Sequence, residues 1–519
     1  MVILSLLLSC DTGSGPFNRD AVDTQEDSGS IDPFACPAMR VVPVQSWTSA
    51  ELAGDSEMGG EPWSEHPNFA GPGLAAVDLN KDGYLDLAIA DPTGASRVLM
   101  GGEAGFSLGS AVIPQGHGLA AGDLNADGIE DLVLARWEGT PDLLGRSDGA
   151  GAWAWEEIPE TLGHGLSWSM ADSDGDGDLD AFAARHLEMV NDEEAAAGLV
   201  SGPGSWLYEN RNGGKLVATP EATPSPTHGA LGFMGQWLDA DGDNDLDLYM
   251  ANDFGAWVVP NTLLINDGTG RFIDSGDSTA SAALYAMGAG VADVDANGRP
   301  DLYISNIGSP LLILNQGAWV NATASLGAEL PPSEQRQSSW GVDLVDLDLD
   351  GLPEAVLRFG PLIFWTEVPY VEDSSGQKWS DADAQADALL LNSGEGFQVS
   401  EDFQSTEVGR AVIHGDWDRD GDPDLATTAW TEEGALIQIY ETQGGCPDGV
   451  TVKGPIGTRV TGPKGTQWIL PATTFSSSAA EVYLTTGQSA SFQTELEVQL
   501  PGSSPTTTRV SPGQIVDLR

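Results

Sequence analysis

The chain has 519 residues, 40% of them hydrophobic, with 79 Asp and Glu against 21 Lys and Arg and a net charge of −58. A charge of that size repels polyanions, which excludes nucleic acid, and excludes anionic membranes read through basic patches. Its 16 Trp are too many for a disordered acidic coil, and no run of 18 apolar residues exists to span a bilayer as a helix.

Taken from the amino terminus, residues 2–9 form a short apolar run that stops at Cys10, the pattern of a processing segment over residues 1–10. The stretch Leu7-Leu-Ser-Cys10 resembles a bacterial lipobox. That resemblance implies a lipid on Cys10, export, and residence on the bacterial cell envelope or outside the cell, with membrane contact only through that lipid. A cleaved or frayed apolar terminus with an ordinary free thiol is the alternative. Residues 11–35, rich in Asp, Ser, Thr and Gly, read as a flexible tether.

A nine-residue pattern, Asp-x-Asp/Asn-x-Asp/Asn-Gly-x-x-Asp/Glu, then recurs seven times. Its positions 1, 3, 5 and 9 are Asp78, Asn80, Asp82 and Asp86 in the first copy, then Asp123, Asn125, Asp127 and Asp131 in the second. The third copy has Asp172, Asp174, Asp176 and Asp180, and the fourth Asp239, Asp241, Asp243 and Asp247. The fifth has Asp293, Asp295, Asn297 and Asp301, the sixth Asp346, Asp348, Asp350 and Glu354, and the seventh Asp416, Asp418, Asp420 and Asp424. Alternate oxygen donors and a turn glycine aim hard ligands at one point, which suits Ca²⁺ with its 6 to 8 oxygens better than the tighter Mg²⁺. Up to seven Ca²⁺ are expected; their fourteen positive charges would move the net charge from −58 to −44. Uncompensated carboxylates would repel within one turn, so metal binding should couple to folding. For any single copy the alternative is an Asx-turn with solvated carboxylates. The fourth copy, with Asn244 at the turn position, and the sixth, ending in Glu354, depart most from the pattern.

Each copy lies between β-like runs, as with residues 74–77 before the first and 85–90 after it, and an apolar strand with a Gly/Asn hairpin follows. A unit of about 45 to 50 residues is thus a four-stranded meander that cannot cover both faces alone. The expected fold is all-β, a seven-bladed β-propeller of four-stranded blades over residues 36–446 with a small C-terminal β domain at 447–519. The seventh unit lacks a clear fourth strand after residues 436–440, and residues 40–45 are expected to supply it. Cys36 and Cys446 flank that closure. With Cys10 assigned to lipid they are the remaining pair, and a disulfide between them is expected, against two unrelated buried thiols.

No G-x-S-x-G elbow, P-loop or dinucleotide fingerprint is present, and no enzymatic activity is expected. His117, His164 and His228 precede innermost strands of the second to fourth units, but their unequal offsets from the next loop point to solvated loops instead of a metal ring. Long connections on the face opposite the acidic loops concentrate Phe254, Trp257, Phe364, Trp365, Tyr370 and Trp379, a candidate surface for a protein or glycan; aromatics closing over blade edges are the alternative.

The seven loops resemble the FG-GAP or VCBS repeats of integrin-type propellers. The stretches 249–255 and 261–272, with Pro455-Ile-Gly-Thr-Arg-Val460 and Leu496-Glu-Val-Gln-Leu-Pro-Gly502, are similar to the subset that ends in an ASPIC/UnbV domain, as in the cartilage acidic protein family. The resemblance implies a calcium-stabilised scaffold for adhesion or interaction. A polysaccharide lyase built on a calcium propeller, or a passive envelope protein, are the alternatives.

Overall fold

The structure is a computed structural model; it describes residues 38–53, 71–92, 96–137, 139–161, 164–187, 197–330, 337–361, 371–372, 378–379, 385–431, 434–446, 449–470, 472–473, 476–485 and 493–519. Cys10, Cys36, Phe364, Trp365 and Tyr370 lie outside the described residues. Residues from Cys36 to Arg519 form one compact unit. Among the described residues no helix is long and apolar enough to cross a membrane.

The repeated meanders form as the pattern dictates: an apolar strand, an acidic loop, a second strand starting at loop position 9, a connection, then a hairpin. Sheet 1 comprises Gly73–Val77, Asp86–Ala90, Arg97–Met100 and Ser107–Val112, and sheet 2 Leu119–Gly122, Asp131–Leu134, Leu143–Ser147 and Trp153–Glu157. Sheet 3 comprises Gly165–Ala171, Asp180–Arg185, Trp206–Arg211 and Lys215–Ala218, and sheet 4 Leu231–Leu238, Asp247–Asp253, Thr262–Asn266 and Phe272–Asp274. Sheet 5 comprises Ala289–Ala292, Asp301–Ile304, Leu311–Asn315 and Trp319–Asn321, and sheet 6 Ser339–Val345, Glu354–Phe359, Ala388–Asn392 and Phe397–Val399. Sheet 7 takes Val408–Gly415, Asp424–Thr431 and Gly434–Gln443 from late in the chain and Arg40–Thr48 from its beginning.

The last pairing is antiparallel, with Arg40 opposite Gln443 and Thr48 opposite Leu436. It places the expected closing strand where the sequence reading put it and extends it by three residues. The first strand of each sheet lies against the first strand of the next, and that of sheet 7 returns to that of sheet 1. These strands therefore ring a central channel. The architecture is a β-propeller.

Apolar side chains fill the gaps between sheets, as where Val133 and Leu144 of sheet 2 meet Trp168, Ala181 and Tyr208 of sheet 3. Each sheet thus covers its neighbour's face, so burial that no meander achieves alone is shared around the ring.

Polar joints accompany the packing. Asn210 Nδ2 donates to the Leu124 carbonyl at 2.8 Å, Asn266 Nδ2 to Ser173 at 2.7 Å, Asn315 Nδ2 to Ala240 at 2.8 Å and Asn392 Nδ2 to Val294 at 3.0 Å. Each acceptor is position 2 of the preceding sheet's acidic loop, and each donor is the last residue, or for Asn210 the last but one, of the third strand of its own sheet. These asparagines read in the sequence as hairpin residues only; here they tie adjacent loops together.

The C-terminal residues form two small sheets around a core of Val450, Val460, Leu484, Leu496 and Val510. One contains Gly449–Lys453, Glu481–Thr485 and Ile515–Asp517; the other contains Arg459–Thr461, Thr466–Trp468, Thr494–Gln499 and Thr506–Val510. Between them, Ala472–Thr473 pairs with Ser476–Ser477, and Ser477 bridges Ala75 in parallel, so this segment adds to sheet 1. It lies against the first strands of sheets 1, 2, 3, 4, 6 and 7 and so occupies the central channel. The stretch expected from sequence as a small C-terminal β domain at 447–519 thus also reaches into the propeller.

Replacing Asn266 by Ala orphans the buried Ser173 carbonyl and is expected to cost about 1–3 kcal/mol. Urea unfolding compared with wild type checks it, and an unchanged midpoint would make the joint dispensable.

Candidate metal loops

In all seven loops the chain makes two left-handed residues, at positions 4 and 6. Position 6 is the expected glycine, at φ 87° for Gly83, except in the fourth loop, where Asn244 takes φ 74°. Position 4 is Gly175 and Gly242 in the third and fourth loops, but in the other five it is Lys81, Ala126, Ala296, Leu349 and Arg419 at φ 53° to 66°, where a glycine would sit more easily. Side-chain oxygens hold these turns. Asp78 accepts from the Asp82 and Gly83 N–H groups at 3.2 and 3.1 Å, and Asp293 from Asn297 and Gly298 at 2.8 Å each.

Position 9 begins the second strand and is buried in every loop. In Asp86 one oxygen accepts from Leu79 N at 3.1 Å and the other from Gly101 N at 2.9 Å. Asp247 bridges Ala240 N and Asn266 N at 2.8 Å each, and Asp301 bridges Val294 N and Asn315 N at 2.8 and 2.7 Å. Glu354 makes the same bridge to Leu347 N and Asn392 N at 2.9 and 3.3 Å, so its longer side chain is no departure in function. In every loop but the second the position-9 carboxylate therefore pins loop position 2 to the end of the third strand; Asp131 accepts instead from Ser147 N at 3.0 Å and from Arg146.

Three carboxylates converge, with one oxygen of each mutually within 4.8 Å, in five loops. The groups are Asp172, Asp174 and Asp176; Asp239, Asp241 and Asp247; Asp293, Asp295 and Asp301; Asp346, Asp348 and Glu354; and Asp416, Asp418 and Asp424. In the first two loops Asn80 and Asn125 stand at position 3. Their donors are Asp78, Asn80, Asp82 and Asp86, and Asp123, Asn125, Asp127 and Asp131. Arg146 Nη1 takes Asp131 Oδ2 at 2.8 Å, which leaves the second loop the poorest set.

Three residues that the spacing did not single out lie in the same loops. Position 7 is Asp178, Asp245 and Asp422 in the third, fourth and seventh loops, and one oxygen of each is buried without a hydrogen-bond partner. The readable signal was a fourth Asp at the next odd position of the loop. Asp346 Oδ1 and Asp416 Oδ1 are likewise unpartnered, in residues only 3% and 6% exposed. Hard oxygens buried with no donor and little positive charge nearby fit a divalent, oxygen-seeking cation.

The electrostatics agree. Burial, then the Asp420 and Asp416 carboxylates, push Asp422 up to about 9. Burial, then the Glu481 carboxylate, push Asp416 up to about 7, and burial raises Asp247 to about 8 against two N–H groups that lower it. These carboxyls resist ionising in the folded chain without a cation.

The other expected sites fare differently. His117 and His186, 8% and 4% exposed, are buried, which corrects the solvated-loop reading for His117. His117 and His164 both pack on Trp137, with centroids 6.0 and 6.1 Å away. His228 Nε2 donates to the Pro220 carbonyl at 2.7 Å. Of the aromatic surface, Phe254 is half-buried at φ 51° and packs edge-on against Tyr285 at 5.3 Å, and Trp257 Nε1 donates to Tyr285 Oη at 3.3 Å. Trp379 lies in a short strand, Lys378–Trp379, paired with Val371–Glu372. Cys446 is disulfide-bonded, and the backbone of Ala38 lies against Gly444, where an added Cβ would sit 2.4 Å from the Ala38 carbonyl.

Residues 78–134, 123–183 and 239–304 match the family of FG-GAP-like repeats. The chain is a β-propeller, and these three stretches of it are similar to FG-GAP-like repeats. No curated protein matches the chain significantly. Among solved structures it is similar to an Agrocybe aegerita lectin described as recognising non-reducing terminal N-acetylglucosamine, with 13% identity over 72% of this chain and 100% of the lectin and a TM-score of 0.42. It is also similar to the V. cholerae biofilm matrix protein Bap1, with 12% identity over 92% of this chain and 85% of that one and a TM-score of 0.32. The Aleuria aurantia lectin shows 15% identity over 63% of this chain and 94% of the lectin, with a TM-score of 0.36.

Raised carboxyl pKa values fix the sign of a pH effect. The folded, metal-stripped protein holds protons that the unfolded chain releases near pH 4, so the stability they confer is complete below that pH and lost as pH climbs towards about 9. Thermal melts of stripped protein should fall steadily across that window; a rise would contradict the buried, unpartnered carboxylates. Asp422→Asn should raise the melting temperature of stripped protein while weakening calcium binding, which calorimetry and melts together can read.

Proposed function

We propose that the protein is a non-enzymatic, calcium-loaded, seven-bladed propeller with a small C-terminal β domain of ASPIC/UnbV type, which presents a recognition surface to a protein or glycan. It is exported and held on a bacterial cell envelope through a lipid on Cys10, and a Cys36–Cys446 disulfide locks the closing strand.

The carrying observation is the set of buried, unpartnered carboxylate oxygens at Asp346 and Asp416 within loops of one repeated geometry. Asp, Asn and Glu oxygens at positions 1, 3, 5 and 9 would hold each ion, joined by position 7 where that residue is Asp. The ion would supply charge neutralisation and cross-linking within the loop, a structural role.

Recognition falls to the connections on the far face, where Phe254, Trp257 and Tyr285 form a half-buried aromatic group on a rigid scaffold. The disulfide at Cys446 and the approach of Ala38 to Gly444 support closure at sheet 7.

Removing metal with EDTA should lower the melting temperature of the tag-free protein by tens of degrees, since a ligand at a thousand times its Kd stabilises by about 4 kcal/mol per site. Metal counting by mass spectrometry should give about seven Ca²⁺ per chain. No shift and no bound calcium would reduce the loops to acidic turns. For the surface, Trp257→Ala should weaken retention on a glycan or protein partner at least about tenfold with the melt unchanged, as for an aromatic hot spot; equal retention would move recognition elsewhere.

A further inference from the structure

The sixth and seventh loops differ from the others in what lies on them. The Cys446 N–H donates to the Asp348 carbonyl at 2.8 Å, and Lys464 of the C-terminal sheets rests on Gly351, where a Cβ would come within 2.3 Å of the Lys464 Cβ. Leu349, at position 4 of the sixth loop, is buried with Cys446 and Tyr483. Beside the seventh loop Gly449 meets Gly421, and Glu481, 3% exposed, accepts from the Asp416 N–H at 3.5 Å and from Tyr483 Oη. Lys453 Nζ lies 2.9 Å from Glu481, and Arg519 acts on the same carboxylate from farther away.

We propose that the sixth and seventh loops are the seat of the C-terminal sheets, and that a cation held in the seventh fastens residues 449–519 to the propeller by cancelling the repulsion between Glu481 and Asp416. This rests on the calcium reading of the loops and assigns two of them a second role. The unpartnered Asp416 Oδ1 is the oxygen that such a cation would take. The adjoining chain runs directly into the channel: Ser476 Oγ accepts from Leu74 N at 2.8 Å, and Ala479 N donates to the His414 carbonyl at 3.2 Å. Loss of the cation should therefore free the channel segment together with the C-terminal sheets while the propeller still stands.

Hydrogen exchange on the full chain, with bound calcium counted in the same samples, tests this. Stripping calcium should speed exchange at residues 476–485 at least about tenfold below the main melt, with sheets 2 to 4 still protected. Asp418→Asn should do the same in limiting calcium, whereas Asp174→Asn, its counterpart in the third loop, should not. Glu481→Gln, which removes the repelling charge, should restore protection in stripped protein. Calcium bound but exchange at 476–485 unchanged on its removal would overturn the inference and leave the metal loops standing. Equal effects of Asp418→Asn and Asp174→Asn, or a stripped Glu481→Gln that exchanges as fast as wild type, would also overturn it. No calcium in any sample would instead sink the calcium reading itself.

Discussion

The interaction on which the rest depends is the buried carboxylate at loop position 9. It is a single side chain with a backbone N–H on each oxygen, one from its own loop and one from the third strand, and the arrangement recurs around the ring. Burying a carboxylate costs several kcal/mol unless its charge is answered, and two N–H groups answer it only in part, as the raised values of Asp247 and Asp301 record. The remainder of the demand falls on the inside of the loop. The same residue is thus a strand-to-loop staple and, on the calcium reading proposed above, one wall of the cation site.

The asparagine joints extend this local device into a global one. Position 2 of a loop gives its N–H to its own position-9 carboxylate and its carbonyl to the next sheet's asparagine. A disturbance in one loop therefore reaches its neighbour through two hydrogen bonds and one peptide unit. Apolar packing between sheets is non-directional and would tolerate small slips; these polar joints set the register.

Much of this was legible in the sequence because it is periodic and local. Seven copies of one pattern at intervals near 50 residues define the meanders, and residues 40–45 revealed themselves as the missing strand by β character and position. What was hidden is long-range or conformational. Nothing in the composition of Ala472–Ser477 marks it as a channel segment, because the strand it pairs with, Gly73–Val77, lies some 400 residues away. The left-handed turns at Lys81, Ala126 and Arg419 break the preference for glycine and follow from the carboxylates that grip them. His117 looked like a loop residue because a Trp137 twenty residues downstream cannot be paired with it by eye.

The closure at sheet 7 bears on how such a chain comes to be folded. Arg40–Thr48 is made early in synthesis, yet its sheet partner, Gly434–Gln443, emerges after nearly four hundred further residues. Until then it is an unpaired edge with apolar positions at Val41 and Trp47, and loop-closure entropy opposes early pairing. The ring therefore stays open at this sheet until Gly434–Gln443 has been made. A chain cut short before residue 434 would carry that edge permanently, ready to pair with another copy.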